Sequence, residues 1–268
     1  MKEKSLFISF RDFIFRIISG LCVSKKVNII FCFHSISNDG WLFSMTKENF
    51  ELLIRRLLKL GEIVGLDELL RKVEEKKGRR FAITFDDGYE SVYTKAYPVL
   101  KKYKLSACVF LVGLPDRKGS FGLIKGRKLL NLKQIRKLKN SGWEFGYHTR
   151  THKDLRFMDS KKLNDEIEKG KKLLEKSLGF KIKYFAYPFG LFNKRVEKIV
   201  AKANYSYAFG VDGGKVSKNS SNYKISRVLL DKYTKVGDLR VLSSNEGLFI
   251  NKIVNYLMRF PLYFHEAI

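Results

Sequence analysis

The order of apolar and polar positions along the chain predicts alternating strands and helices. Longer amphipathic stretches separate short runs that are rich in β-branched and aromatic residues. This alternation is typical of a parallel sheet wrapped by helices, so we predict an α/β fold. The predicted strands cover residues 27–33, 81–85, 106–112, 143–147, 184–189 and 205–211.

Two of the intervening stretches have a clear helical pattern. The first starts after Thr46, a residue type that caps helix N-termini, and the second runs from Ser160 to about Leu178, just before Gly179. We predict that both are scaffold helices with one apolar face turned inward. The first face contains Phe50, Leu53, Ile54, Leu57 and Leu58, and the second contains Leu163, Ile167, Leu174 and Leu178.

A single domain is predicted over residues 25–240, because a chain of 268 residues suits one α/β barrel-like core and no linker interrupts it. Amphipathic segments at 1–24 and 241–268 flank this domain. Each is predicted either to lie on a membrane surface as an interfacial helix or to pack on the domain. In the N-terminal segment the apolar face consists of Phe7, Phe10, Ile14, Ile17, Ile18 and Leu21.

The N-terminal segment is not predicted to span a membrane. Arg11, Asp12 and Arg16 interrupt it, and each charge costs about 2.5–3.5 kcal/mol near the bilayer centre, against gains of about 0.3–0.6 kcal/mol for each apolar residue. No small-residue cleavage site follows the apolar stretch, so a secretory signal peptide is not predicted either.

The charge balance is strongly basic, with 53 Lys and Arg against 27 Asp and Glu and a net charge of +26. An anionic lipid, glycan or nucleic acid would explain this charge, and so would a solvated Lys-rich surface. Nucleic acid is not favoured, because no zinc-finger spacing or RNA-binding aromatic motif is present. Cys22, Cys32 and Cys108 lack a disulfide-like spacing, which favours a reducing compartment. We therefore predict a cytoplasmic protein, with peripheral contact with the inner face of the membrane as an alternative.

Residues that can carry chemistry follow four of the predicted strands. His34 follows the first, Asp86 and Asp87 follow the second, His148 follows the fourth, and 188–190 closes the fifth. The carboxyl ends of parallel strands meet at one edge of a sheet, where connecting loops converge. We therefore predict that these residues line one cleft.

A metal site is one interpretation of these residues. His148 and His152 are separated by three residues, so a helical turn or a tight loop places both imidazoles on one side. The adjacent Asp86 and Asp87 would repel each other in a dry cleft unless a cation or an arginine compensates one of them. Alone, the histidine spacing is weak support and the aspartates are typical of an ordinary turn; together they favour a cation.

The motifs FDDG at 85–88, HTRTH at 148–152 and AYPFG at 186–190 together resemble those of the polysaccharide deacetylase family, also called the NodB-homology family. The resemblance implies a distorted (β/α) barrel with about seven parallel strands. It also implies one divalent metal ion, zinc in the first place and nickel or cobalt as alternatives. By resemblance, Asp86 is the general base, and the metal ligands are Asp87, His148 and His152.

The chain departs from the common family pattern in two places. It has Ala186-Tyr187-Pro188-Phe189-Gly190 where many members have R-x-P-Y, and it lacks a late L-x-x-H motif. Both features resemble a subgroup that includes poly-N-acetylglucosamine deacetylases, in which an early strand ends in a histidine. That resemblance implies His34 as the general acid, Arg227 as the partner of Asp86, and Tyr187, Pro188 and Phe189 near the substrate and the oxyanion. The alternative for His34 is a structural cap on a buried strand.

The expected function is metal-dependent removal of N-acetyl groups from an amino-sugar polysaccharide or a lipid-linked cell-envelope glycan. The expected partners are an N-acetylated glycan and an anionic membrane surface. The alternative is a non-catalytic carbohydrate- or membrane-surface-binding protein that keeps the metal site. Asp86 argues against this alternative, because a pure binding site gains little from a second buried carboxylate.

Overall fold

The computed structural model describes residues 26–73, 78–115 and 127–258, together with residues 15 and 17 of a preceding helix. Phe15 is buried in the core, whereas the side chain of Ile17 is 56% exposed. The other residues of the predicted N-terminal apolar face lie outside the described residues, and so does Cys22.

The predicted fold class is confirmed. The strands are β1 Val27–Phe33, β2 Ser35–Ile36, β3 Ser44–Met45, β4 Glu62–Ile63, β5 Arg79–Phe85, β6 Cys108–Leu111, β7 Glu144–Tyr147, β8 Tyr184–Ala186, β9 Tyr207–Phe209 and β10 Val228–Leu229. Seven of them pair in parallel in the order β10-β1-β5-β6-β7-β8-β9, and the short β4 also pairs with β5. An isolated parallel bridge joins Phe209 to Ile225, close before β10, so the sheet curls into a distorted barrel.

Helices follow the strands along the chain, as the alternation predicted. The helices are α1 Lys47–Leu60, α2 Leu66–Arg71, α3 Tyr97–Lys102, α4 Leu132–Asn140, α5 Ser160–Asn164, α6 Gly170–Leu178, α7 Lys194–Lys202, α8 Asp238–Leu242 and α9 Asn245–Met258. A π-helical turn, Val92–Ala96, precedes α3, and another, Asp165–Lys169, joins α5 to α6. Turns of 3-10 helix cover Leu155–Phe157 and Pro188–Gly190.

Both helices that were predicted in detail are present. The Thr46 hydroxyl accepts a hydrogen bond from the Asn49 N–H and caps α1, while Gly179 ends α6 with a left-handed φ of 78°. The predicted inward residues are buried with one exception, Leu58, which is 39% exposed. Leu58 lies about 100° around the helix from Leu57, so it reaches the flank of the apolar face.

The core has two layers, which explains why the predicted strands are continuous apolar runs. Along β1, Ile29 and Phe31 belong to the cluster between sheet and helices, whereas Ile30 belongs to the cluster inside the barrel. Cys32 and Cys108 are buried free thiols. Because alternate residues of a strand point to opposite faces, one strand such as β1, β5 or β9 supplies residues to both layers.

The predicted domain boundary at residue 240 falls inside α8. Leu242 and, on α9, Leu248 belong to the outer core cluster, while Phe249 is 67% exposed and Ile253 45% exposed. The start of the predicted C-terminal segment therefore packs on the domain and keeps an exposed apolar side. Within the described part of the chain, no helix has the length and apolar character needed to cross a bilayer.

Gly170 is expected to be intolerant of a side chain. A Cβ at this position would lie 1.9 Å from the Tyr147 hydroxyl oxygen. We expect Gly170→Ala to lower the free energy of unfolding by about 1–3 kcal/mol through overpacking, measured by urea denaturation. The control is Gly237→Ala, where a Cβ meets nothing within 4 Å and φ is −62°. Equal stability of the two variants would contradict the close approach of α6 to β7.

Candidate active site

The residues predicted to line one cleft lie together at the carboxyl edge of the barrel. The Nε2 atom of His148 is 3.8 Å from Asp86 Oδ2 and 3.7 Å from Asp87 Oδ1. His34, after β1, has a ring nitrogen within 4.8 Å of a carboxylate oxygen of Asp86. The Phe189 ring, after β8, packs edge-on against His152 at 4.6 Å.

A buried arginine holds Asp86 by both carboxylate oxygens. Arg227 donates from Nη1 to Oδ1 at 2.6 Å and from Nη2 to Oδ2 at 2.7 Å. Its side chain is fully buried, its Nε donates to the Gly210 carbonyl, and its guanidinium lies over Phe110 inside the barrel. Burial alone would raise the pKa of Asp86, but the charge and hydrogen bonds of Arg227, together with the electrostatic effects of His148 and His34, outweigh burial and hold that pKa well below its usual value. Asp86 is therefore an ionised proton acceptor at neutral pH.

A third donor to Asp86 was missed in the sequence. The Cys32 thiol lies 3.4 Å from Asp86 Oδ2, and burial raises the pKa of this thiol, so it keeps the proton that it donates. Cys32 is two residues before His34 on the strand, and this spacing places both on one face. That period-2 relation is the signal that could have identified it.

The two metal-ligand candidates from the HTRTH motif face each other. The Nδ1 of His148 lies 2.8 Å from the Ala186 carbonyl; a carbonyl only accepts, so Nδ1 carries the hydrogen and Nε2 presents a lone pair. The Nε2 of His152 is 3.1 Å from the Nε2 of His148. The loop between them is tight, with left-handed φ values of 68° at Thr149 and 54° at His152. Two such nitrogen atoms need a proton or a cation between them.

Asp87 completes this group. Its Oδ1 lies 3.6 Å from His152 Nε2 and 3.7 Å from His148 Nε2, which is too long for hydrogen bonds. Among the described residues this buried oxygen has no hydrogen-bond partner. Burial, and then the Asp86 charge, raise the pKa of Asp87 well above its usual value, while burial lowers the pKa of both histidines. Among the described residues, no Lys or Arg forms an ion pair with this carboxylate.

A divalent cation fits these three residues. Tetrahedral coordination with bonds of about 2.0–2.1 Å separates ligand atoms by roughly 3.4 Å, and the three separations here are 3.1, 3.6 and 3.7 Å. A second group, Cys32, His34 and Asp86, also brings its ligand atoms within 4.8 Å of one another. There, Arg227 already occupies both oxygens of Asp86, and its charge would repel a cation.

His34 is enclosed by aromatic side chains. Its ring stacks on Phe43 at 5.0 Å and meets the edge of Trp41 at 5.9 Å. The Arg127 guanidinium covers the Trp41 ring at 4.3 Å and pairs with Asp39, which braces this wall. Burial lowers the pKa of His34 to about 4, so the ring is neutral at pH 7.

The predicted substrate contact of Tyr187 is wrong for its side chain. The ring is fully buried, stacks on Phe192 at 4.3 Å, and its hydroxyl donates to the Tyr223 carbonyl. Ala186 belongs to the inner cluster and Tyr187 to the outer one, so strand alternation turns Tyr187 away from the cleft. Pro188 is also buried, whereas Phe189 is partly exposed at the site and has a left-handed φ of 58°.

Comparison with known protein families identifies the family of this chain. The profile of the polysaccharide deacetylase family matches residues 73–208. The chain belongs to the polysaccharide deacetylase family. A poly-β-1,6-N-acetyl-D-glucosamine N-deacetylase of Staphylococcus aureus strain MRSA252 is 30% identical to this deacetylase in an alignment of 218 residues that covers 76% of this chain and 73% of that protein.

Solved structures agree with this membership of the polysaccharide deacetylases. The deacetylase PplD of Streptococcus pyogenes, solved with acetate, has a TM-score of 0.70 at 23% identity and covers 82% of this chain and 100% of its own. IcaB from Ammonifex degensii has a TM-score of 0.66 at 25% identity, over 82% of this chain and 97% of its own. The fold of this deacetylase is therefore the NodB-type barrel.

Proposed function

We propose that this polysaccharide deacetylase is a metal-dependent hydrolase that removes N-acetyl groups from a glycan of the poly-N-acetylglucosamine type. The observation that carries the proposal is that two adjacent carboxylates have different partners. Asp86 is paired with Arg227, while Asp87 faces two histidine nitrogen atoms and forms no ion pair with a Lys or Arg among the described residues. The substrate class is supported by the similarity to the Staphylococcus aureus enzyme, whose name states that it acts on poly-β-1,6-N-acetyl-D-glucosamine.

Asp87, His148 and His152 would hold the cation. When bound, a divalent ion such as zinc, or nickel or cobalt, supplies the Lewis acidity that makes water and an amide carbonyl reactive. Both histidines are neutral imidazoles that can bind a cation, because burial lowers the pKa of each. The hydrogen bond from His148 Nδ1 to Ala186 fixes the orientation of that ring.

The proton transfers are assigned to residues of the chain. Asp86, kept ionised and oriented by Arg227, accepts a proton from the attacking water. A backbone N–H near Phe189 stabilises the negative charge that develops on the carbonyl oxygen. His34 donates a proton to the amine nitrogen as the C–N bond breaks. The free His34 ring is neutral at pH 7, so it must receive a proton before it acts as the acid. The closest source is the proton that Asp86 took from water, because a carboxylate oxygen of Asp86 lies within 4.8 Å of a His34 ring nitrogen.

A lipid-linked cell-envelope glycan is the second substrate that we propose for the same site. The exposed Phe249 and Ile253 on α9 and the net charge of +26 would suit an anionic membrane surface. A cytoplasmic location with peripheral membrane contact belongs to this proposal. The ion pair between Arg227 and Asp86 argues against the non-catalytic alternative, because it keeps a proton acceptor ionised in the cleft.

The test is acetate release from N-acetylglucosamine oligomers by the metal-loaded protein. We expect the His34→Ala variant to lose about 10²–10⁴-fold in kcat, because an acid catalyst contributes roughly that factor. Its metal content should stay unchanged, since His34 is not among the three proposed ligands. An active His34→Ala variant would remove His34 as the acid. A metal-loaded protein that releases no acetate from any oligomer would favour the lipid-linked substrate or the non-catalytic alternative.

A further inference from the structure

The loop that carries the two histidines has an unfavourable backbone. Thr149 and His152 both have φ values in the left-handed region, 68° and 54°. A β-branched residue such as threonine is a conformational outlier there. Within the loop, the His152 N–H bonds to Thr149 Oγ1, but this local contact does not fix the loop on the barrel. Such a conformation persists where the surrounding structure holds it.

Glu166 supplies that support from outside the loop. Its Oε2 accepts hydrogen bonds from the N–H groups of Arg150 and Thr151, both at 2.9 Å. Its Oε1 accepts from the Thr151 hydroxyl at 2.6 Å. Glu166 is only 7% exposed, and no Lys or Arg among the described residues forms an ion pair with it. The loop is therefore the partner that compensates this buried carboxylate.

The helix beneath the loop gives Glu166 a fixed position. Glu166 lies in the π-helical turn Asp165–Lys169, and such turns are frequent at functional sites. The carbonyl of Ile167 in the same turn accepts a hydrogen bond from the Tyr205 hydroxyl. Gly170 lets the helix approach Tyr147, the residue directly before His148. The helix that carries Glu166 is thus held against Tyr205 and against the strand that precedes the loop.

We propose that Glu166 is a positioning residue for the metal site. It binds the Arg150 N–H, the Thr151 N–H and the Thr151 hydroxyl. Through these bonds it holds His148 and His152 with their Nε2 atoms facing each other. Glu166 itself touches neither metal ligand side chain. The inference rests on the metal site of the proposed function. Removal of the carboxylate should therefore weaken metal binding in a protein that remains folded.

The experiment measures Co²⁺ and Zn²⁺ dissociation constants and the visible absorption spectrum of the Co²⁺ protein. We expect Glu166→Ala to weaken binding about 10–100-fold, the usual effect of losing a group that orients ligands, and to alter the cobalt bands. The matched control is Glu168→Ala in the same turn, whose carboxylate pairs with Lys172 on the surface. It should keep the wild-type constants and spectrum. A folded Glu166→Ala protein with wild-type constants and spectrum would overturn the inference.

Two milder variants keep the test decisive if Glu166→Ala does not fold. In Glu166→Gln the amide oxygen can still accept from both N–H groups but carries no charge, so we expect metal binding weaker than that of the wild type by less than the roughly 10–100-fold expected for Glu166→Ala. Thr151→Val removes the hydroxyl partner alone and should weaken binding several-fold. Wild-type metal binding in both variants would overturn the inference. If the wild type binds no metal, the proposed metal site fails instead, so the two failures are distinguishable.

Discussion

Replacement of Asp86 by asparagine is expected to remove nearly all acetate release and also to destabilise the fold. The variant loses the proton acceptor, which is worth about 10²–10⁴ in kcat. It also leaves the guanidinium of Arg227 fully buried without its counter-charge. Breaking a buried ion pair from one side costs about 3–5 kcal/mol. Both losses are measurable in one preparation, by acetate assay and by urea denaturation.

The double variant Asp86→Asn with Arg227→Met separates the two effects. Methionine removes the unpaired charge and fills a similar apolar space, so most of the lost stability should return. Activity should not return, because the proton acceptor is still missing. If Asp86→Asn alone unfolds at the same urea concentration as the wild type, the ion pair with Arg227 does not have the stabilising role that the geometry indicates.

The Asp87→Asn variant is expected to lose metal binding and activity while its metal-free form becomes more stable. Burial and the charge of Asp86 raise the pKa of Asp87 in the folded, metal-free protein. The folded state then holds this proton more tightly than the unfolded state, so stability decreases as pH rises above the unfolded value of about 3.9 towards the raised pKa. Asparagine cannot ionise, so the extra stability of Asp87→Asn over the wild type should grow as the pH rises through this range and persist at neutral pH.

Metal addition should reverse the order of stabilities. At a free-metal concentration about 100 times Kd, the wild type gains about 2.7 kcal/mol, and Asp87→Asn should gain far less. Chelation should remove the gain. The matched control is Asp159→Asn, an exposed N-cap of α5 whose amide can still accept from the Lys162 N–H. Equal metal stabilisation of wild type and Asp87→Asn would contradict a ligand role for Asp87.

The opposite environments of the two carboxylates explain why neighbouring residues can have different roles. Arg227 lowers the pKa of Asp86 despite its burial, whereas burial and the Asp86 charge raise the pKa of Asp87, which has no Lys or Arg ion-pair partner in the described part of the chain. Titratable groups whose environments separate their pKa values are typical of acid–base sites. Asp86 is thus suited to stay ionised and accept a proton, and Asp87 is suited to bind a metal.

The sequence by itself determined the fold class and most of the elements of the site. Strand β1 was predicted with its observed bounds, because a strand buried on both faces is a continuous apolar run between polar residues. His34, Asp86 and His148 each directly follow a strand, and Asp87 is the next residue after Asp86. Their convergence follows from parallel topology, in which the carboxyl ends of the strands share one edge.

Only the tertiary structure decided which side chains meet inside the barrel. Arg227 reaches Asp86 across 141 residues of sequence, a pairing that only the family resemblance had implied, and Cys32 reaches it across 54. Tyr187 is next to the site in sequence but points into the outer core layer, and Glu166 supports a loop that the helical pattern did not connect with it. These contacts depend on how far the sheet curls and on how a π-turn rotates one helix. Neither property is encoded in local periodicity, because both arise when distant elements pack together.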